Sequence, residues 1–275
     1  MPEEGPSPRG EPRDGATQLL SGQVALVTGA SAGIGRHLVE GLTARGMAVA
    51  GLARNGERLT AAMAEVAEAT GARTLAVAAD VTDRDSVDAA VAEVVAELGQ
   101  VDLLVNNAGL GMASVNPRFL TEPAPFWQVP AEGFRAVVDT NLTGYFLLAR
   151  AVVPRMLAAG GGRVVNISVS ESTMTRAGFA PYGPSRAGSE ALSRVMAADL
   201  RGTGVTVNLL LPGGATATGM LPPGDRPPGL RVLDPEIMGP PIVWLASAAA
   251  AGVHDERIVA TGFQAWLRDR DGGRG

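Results

Sequence analysis

Two stretches of this sequence place reactive or anion-binding groups at usable spacings. The first is Thr28-Gly29-Ala30-Ser31-Ala32-Gly33-Ile34-Gly35, directly after an apolar run. Glycine at 29 permits a tight turn, glycine at 33 lets the backbone approach an anion such as a pyrophosphate, and glycine at 35 allows a following helix to pack closely. Such a turn holds nucleotide phosphates when it joins a parallel strand to a helix, and is otherwise an ordinary connection. The second stretch is Tyr182-Gly183-Pro184-Ser185-Arg186, which sets a phenol one helical turn from a guanidinium. A phenol ionises near pH 10, roughly, and a permanent cation beside it favours the tyrosinate. The pair therefore suits proton transfer by Tyr182, the alternative being a packing tyrosine with a satisfied hydroxyl.

What is missing narrows the chemistry. All 23 basic residues are arginine, which excludes Schiff-base, P-loop and general-base lysines. Cysteine is absent, and His37 and His254 are the only histidines, so thiolate chemistry is excluded and no metal site is expected. A net charge of −5 with scattered arginines argues against a nucleic-acid partner. No uncharged apolar run approaches the roughly 18 residues of a membrane helix, and the N-terminus lacks a signal-peptide core. A soluble, cytoplasmic protein with no membrane partner is expected.

The elements that must position these groups are legible as alternation. Val24 to Thr28, Ala48 to Ala53, Thr74 to Ala79, Leu103 to Asn106, Arg163 to Ser168, Val205 to Leu211 and Arg257 to Ala260 are apolar runs of strand length, as expected for strands buried on both faces of a parallel sheet. Between them apolar residues recur at helical spacing, with a long helical stretch from Phe134 to Leu157. The alternation predicts a single-domain α/β fold, a Rossmann-type doubly wound parallel sheet of about seven strands with helices on both faces. The domain is expected over residues 21–265. Residues 1–20, rich in Pro, Gly, Glu and Arg, read as a disordered arm, and residues 266–275 read as a flexible tail. Ligands of such a sheet bind at the carboxyl ends of its strands.

The motifs in chain order resemble the short-chain dehydrogenase/reductase family. The spacing of the glycine turn matches TGxxxGIG. It is followed by Asp80-Val81, by Asn106-Asn107-Ala108-Gly109, by Asn141, by Asn166-Ile167-Ser168, by Tyr182 ahead of a basic residue, and by Pro212-Gly213, over about Gln23 to Phe263. The resemblance implies a dinucleotide cofactor held by Gly29, Ser31, Ala32, Gly33, Ile34 and Gly35. Asp80 and Val81 would flank the adenine, Asn107, Ala108 and Gly109 would lie along the cofactor, and Pro212, Gly213 and Thr216 or Thr218 would lie at its nicotinamide end. At the end of the second strand Ala53-Arg54 replaces the acidic residue that would bind a ribose 2′-hydroxyl. Arg54 suits a 2′-phosphate, or is a solvated loop residue, and NADP(H) is favoured over NAD(H).

The family joins an Asn that holds a water, a Ser that hydrogen-bonds the substrate oxygen, a Tyr acid/base, and a Lys that binds the nicotinamide ribose. Asn141 and Tyr182 fit their places. Arg186 stands where the lysine belongs and could bind the ribose, but it is planar and a poor proton relay. Val169 stands at the serine position, and loss of such a donor typically costs about 3–4 kcal/mol of transition-state stabilisation. Ser168 and Ser170 flank it, and Ser170 is the preferred replacement. Tyr145 is assigned to the core or a subunit interface.

The resulting expectation is an NADP(H)-dependent ketoreductase acting on a largely apolar small molecule of secondary metabolism. The alternative is a non-redox cyclase, dehydratase or isomerase on the same fold, and a third reading is a nucleotide-sensing relative. Phe119, Phe126, Trp127, Met174, Phe179, Met220 and Leu221 are the candidate lining of an apolar pocket. The resemblance further implies a homodimer or homotetramer through the helices of Asn141 and Tyr182.

Overall fold

The computed structural model describes residues 19–222 and 229–272. Strands β1 (Val24–Thr28), β2 (Ala48–Ala53), β3 (Thr74–Ala78), β4 (Leu103–Asn106), β5 (Gly162–Ile167) and β6 (Val205–Leu211) form on the apolar runs. A short pair, β7 (Ala215–Thr216) and β8 (Val232–Leu233), precedes β9 (Arg257–Val259), which completes the main sheet. The seven strands run parallel in the order β3-β2-β1-β4-β5-β6-β9. The chain winds outward from β1 to β3 and then returns to lay β4 on the other side of β1. The crevice opened by that reversal lies at the carboxyl ends of β1 and β4.

Continuous apolar strands follow from two cores. Ala25 and Val27 of β1 and Leu103 and Val105 of β4 face one core, shared with α1 (Gly33–Thr43) and α2 (Gly56–Thr70). Leu26 and Leu104, one residue out of phase, face the other, shared with α3 (Arg84–Leu98) and with helices further along the chain. Each strand therefore needs apolar residues at both parities.

The long helical stretch begins earlier than its periodicity suggests and is not uniform. It comprises α4 (Ala131–Val138), a π-helical turn at Asp139–Thr143, and α5 (Gly144–Ala158). By length and composition this rod could cross a membrane, but half of its most apolar window is buried inside the fold, as in a core helix. Next come a single turn α6 (Glu171–Met174), then α7 (Tyr182–Asp199), α8 (Gly239–Ala246) and α9 (Phe263–Gly272).

Both ends of the domain differ from expectation. Most of the expected disordered arm lies outside the described residues, but Leu20, assigned to it, is fully buried and its N–H donates to the Arg45 carbonyl at 2.8 Å. The expected tail from residue 266 is helical as far as Gly272, because Trp266 and Leu267 pack against the first core. Trp266 stacks on Phe263, its ring edge-to-face with Trp244. The polar composition after Arg268 concealed these two apolar anchors.

Candidate active site

The glycine turn connects β1 to α1 as its composition requires. Gly29 and Gly33 have φ of 68° and 55°, the left-handed region open to glycine. A Cβ on Gly35 would lie 2.1 Å from the Gly29 carbonyl oxygen. Ala32 caps α1 without a side-chain hydrogen bond, and the first turn holds no acidic residue, so its N–H groups are left for an anion. These features fit a dinucleotide pyrophosphate. Beneath them Thr28 Oγ1 accepts the N–H groups of Asn107 and Ala108, each at 2.9 Å, while Asn107 Nδ2 donates to the Thr28 carbonyl at 2.8 Å. The asparagine side chain thus braces the glycine turn. Thr28 is a support that the motif spacing alone did not single out.

After β3, Asp80 Oδ1 accepts the N–H of Thr82 at 2.9 Å and its hydroxyl at 2.8 Å. Burial pushes the Asp80 carboxyl up, but the two Thr82 hydrogen bonds and the Arg54 charge outweigh it and hold its pKa below the ordinary value. Arg54 is solvent-exposed at the end of β2 and electrostatically linked to the same carboxylate. Val81 packs against Gly144 of α5, where a Cβ would come within 3.0 Å of its side chain. After β6, Gly213 takes φ 96°, Thr216 is buried with its hydroxyl on the Gly214 carbonyl at 3.2 Å, and the Thr218 side chain lies over Gly33. Thr218 is therefore the threonine that meets the glycine turn directly.

The second group of residues gathers beyond β4 and β5. Asn141 sits inside the π-helical turn, fully buried. Its side-chain Oδ1 accepts the Leu110 N–H at 2.8 Å, and its Nδ2 donates to the Leu110 carbonyl and to Ser185 Oγ, both at 3.0 Å. Ser185 in turn donates to the Tyr182 carbonyl at 2.8 Å. The amide of Asn141 is thus engaged by protein groups, with both Nδ2 hydrogens donated and Oδ1 accepting from Leu110.

Arg186 is 3% exposed. Its Nη1 donates to Tyr145 Oη at 2.7 Å and to the Ile167 carbonyl at 3.1 Å, and the Tyr145 hydroxyl donates to the same carbonyl at 3.1 Å. The guanidinium lies 5.6 Å from the Tyr145 ring centroid and 5.4 Å from that of Tyr182. Burial disfavours its charge, but the two phenols more than compensate, leaving the Arg186 pKa above its ordinary value. Burial pushes the Tyr145 phenol up, and the Arg186 charge offsets only part of that. Tyr145 is therefore part of this cluster. Its spacing from Asn141 is one helical turn, a signal that could have placed it here.

The serines flanking Val169 have different partners. Ser168 is buried and donates to Glu190 Oε1 at 2.5 Å, and Glu190 is paired with Arg257 Nε at 3.1 Å. Arg257 Nη2 also donates to the Val169 carbonyl at 2.8 Å. Ser168 is thus withdrawn from the cleft into an ion pair that the sequence reading missed. Ser170 is partly exposed, its hydroxyl within 3.1 Å of Ser172 Oγ and 2.8 Å of Thr173 Oγ1.

The four aromatic residues of the proposed apolar lining differ in burial. Phe119 and Phe179 meet edge-to-face at 5.5 Å and pack with Met112 as a small core. Phe126 and Trp127 are each 72% exposed. Phe126 instead borders a groove of about 470 Å³ with Val129, Phe134, Ala180 and Pro184, the last two flanking the α7 N-terminus. Two of the seven residues read as lining, Phe119 and Phe179, are thus packed on one another in a small core.

Residues 23–226 match the family model for short chain dehydrogenases. The chain is 32% identical over 251 residues to the 3-oxoacyl-(acyl-carrier-protein) reductase of Vibrio harveyi, covering 88% of this chain and 97% of that protein. It is 36% identical over 192 residues to the 2-dehydro-3-deoxy-L-rhamnonate dehydrogenase (NAD(+)) of a Sphingomonas species, covering 70% of this chain and 72% of that one. Among solved structures, one described as a candidate NAD(P)-dependent gluconate 5-dehydrogenase from Beutenbergia cavernae, with NADP bound at low occupancy, superposes with a TM-score of 0.76. It is 33% identical and covers 90% of this chain and 98% of that chain.

Proposed function

Since the chain belongs to the short-chain dehydrogenase family, whose members are NAD(P)-dependent oxidoreductases, we propose that it interconverts a carbonyl and an alcohol on a largely apolar small molecule, using NADP(H). The observation that carries this reading is buried Arg186, its guanidinium 5.4 Å from the Tyr182 ring centroid and its Nη1 on the Ile167 carbonyl at the carboxyl end of β5. Bound NADPH supplies the hydride. The glycine turn and the α1 N-terminus would hold its pyrophosphate, Asp80 and Val81 would flank its adenine, and Arg54 would meet its 2′-phosphate. Pro212, Gly213 and Thr216 or Thr218 would border its nicotinamide end, and Arg186 would face the adjoining ribose.

Tyr182 transfers the proton: in the reducing direction its hydroxyl gives H⁺ to the carbonyl oxygen as the carbonyl carbon accepts the hydride, and the tyrosinate left behind is balanced by the Arg186 charge. Asn141 acts through position, fixing Leu110 on one side and, through Ser185, the first turn of α7 on the other. Ser170 is the hydroxyl that replaces the family serine, since Ser168 is committed to Glu190. The exposed Phe146 and Leu157 on α5 and Val195 on α7 support a homodimer or homotetramer joined through these helices. A cytoplasmic location goes with this reading.

The test is loss of NADPH absorbance with a panel of apolar ketones. Turnover that depends on Tyr182 supports the reading, and no oxidation with any carbonyl would sink it. Product formed without NADPH oxidation would select non-redox chemistry instead. Ser170→Ala is expected to lower kcat by about 10²-fold, the usual cost of one oxyanion donor, whereas Ser168→Ala should act mainly on stability.

A further inference from the structure

A buried guanidinium ordinarily sits against a carboxylate, because an uncompensated charge is expensive to desolvate. Arg186 has two phenols and a carbonyl instead. An ammonium group is nearly symmetric about its terminal bond and needs only to reach its partners. A guanidinium is a plane with donors at fixed angles, and it works only when that plane is aimed.

We infer that Tyr145 is the positioning residue that aims Arg186, and that the two form a matched pair in place of the family's single lysine. Three contacts close a triangle: Arg186 Nη1 to Tyr145 Oη at 2.7 Å, Arg186 Nη1 to the Ile167 carbonyl at 3.1 Å, and the Tyr145 hydroxyl to that carbonyl at 3.1 Å. With Nη1 fixed at the end of β5, Nη2 is directed toward the β4 turn at Gly109, where an added Cβ would lie only 2.3 Å from it. Among the described residues buried Nε has no hydrogen-bond partner, whereas Nη1 makes two hydrogen bonds that orient the plane. Tyr145 is 2% exposed and lies at the start of α5, just after the π-helical turn that holds Asn141, so α5 rather than α7 sets the direction of the cation. This rests on the reading that Tyr182 and Arg186 serve NADP(H).

The experiment is a double-mutant cycle on Tyr145→Phe and Arg186→Lys, read by direct NADPH titration and by kcat and KM for a reducible ketone. Phenylalanine keeps the ring, and the Ile167 carbonyl keeps Arg186 Nη1, so the variant should fold. With arginine present, loss of a hydrogen bond to a charged group is expected to lower kcat about tenfold and to weaken NADPH several-fold, with the ketone KM within about twofold. In the Arg186→Lys background the same change should alter neither value by more than about twofold. If that background does not fold, Arg186→Met supplies the second one with the same expectation for NADPH affinity. Equal losses in both backgrounds, or no loss with arginine present, would overturn the pairing. A wild-type protein that oxidises no NADPH would refute the reductase reading alone, because the nucleotide titrations would still measure the coupling.

Discussion

The proposed nucleotide end and the proposed catalytic end of the cleft are held by different means. Around β1 and α1 the requirements fall on the backbone: Gly29 and Gly33 need positive φ, Gly35 has no room for a Cβ, and Thr28 and Asn107 lock two turns together. Around α5 and α7 the requirements fall on side chains from several elements, Asn141 on Leu110, Arg186 on Tyr145 and Ser168 on Glu190. A backbone demand admits one residue, so it survives as a motif. A side-chain demand can be met by another donor or charge if a neighbour changes too. This is how an arginine can stand where a lysine is expected while the glycine turn stays intact.

The sharpest way to separate the two ends is to remove one phenol. Tyr182→Phe is expected to lower turnover by about 10²- to 10⁴-fold, the usual contribution of a general acid or base, while NADPH titration stays within about twofold. Retained turnover would mean that the catalytic end is wrongly assigned. The converse break is Gly35→Ala. Its methyl would meet the Gly29 carbonyl at 2.1 Å, and because backbone cannot swing aside as a flexible side chain does, the overpacking should cost about 1–3 kcal/mol. Denaturant unfolding and NADPH titration should both register it, and an unchanged nucleotide affinity would refute the rigid-turn account.

Arg54 lies between these extremes, since it is assigned to the proposed nucleotide end but has an exposed side chain. Arg54→Asp removes the cation proposed for the 2′-phosphate and sets a second carboxylate near Asp80. The ratio of NADPH to NADH affinity is expected to fall about tenfold, equivalent to about 1.4 kcal/mol. An unchanged ratio would make Arg54 the solvated loop residue of the alternative reading.

How far the sequence could be read follows the same division. Strands were legible to within a residue or so because burial on both faces leaves an unbroken apolar run, as in Leu103–Asn106. Gly29, Gly33 and Gly35 were legible because steric exclusion is a property of each position alone. The withdrawal of Ser168 was not, because its partners Glu190 and Arg257 come from α7 and β9, far away in sequence. Tyr145 was read as core, and it is buried as core residues are; only the approach of Arg186 from another helix gives its hydroxyl a second task. The π-helical turn at Asn141 was not legible, because the apolar spacing from Phe134 to Leu157 reads as one continuous helical stretch. Trp266 was lost in a charged segment whose apolar face is just two residues wide.

The smallest effects are those of pH, and they should divide the two ends by sign. Asp80 has its folded pKa below the ordinary carboxyl value because the Thr82 hydrogen bonds and Arg54 outweigh burial. The folded state therefore binds this proton more weakly than the unfolded one. Its stabilisation is present in full above the unfolded value of about 3.9 and is lost as pH falls through the folded value. Tyr145 behaves oppositely: burial raises its folded pKa above the ordinary 10.0, with Arg186 compensating in part. The folded state holds that proton more tightly, so the stabilisation is full below the unfolded value and is lost as pH rises through the folded one. Unfolding free energies measured against pH should show a shallower acid limb in Asp80→Asn and a shallower alkaline limb in Tyr145→Phe. Because the chain has two tyrosines, Tyr182→Phe leaves Tyr145 as the sole phenol, and its tyrosinate absorbance in the folded protein should develop above the pH of free tyrosine. If that absorbance develops at or below the free-tyrosine pH, the Arg186 charge outweighs burial, and the catalytic end is governed by the cation rather than by the loss of water around it.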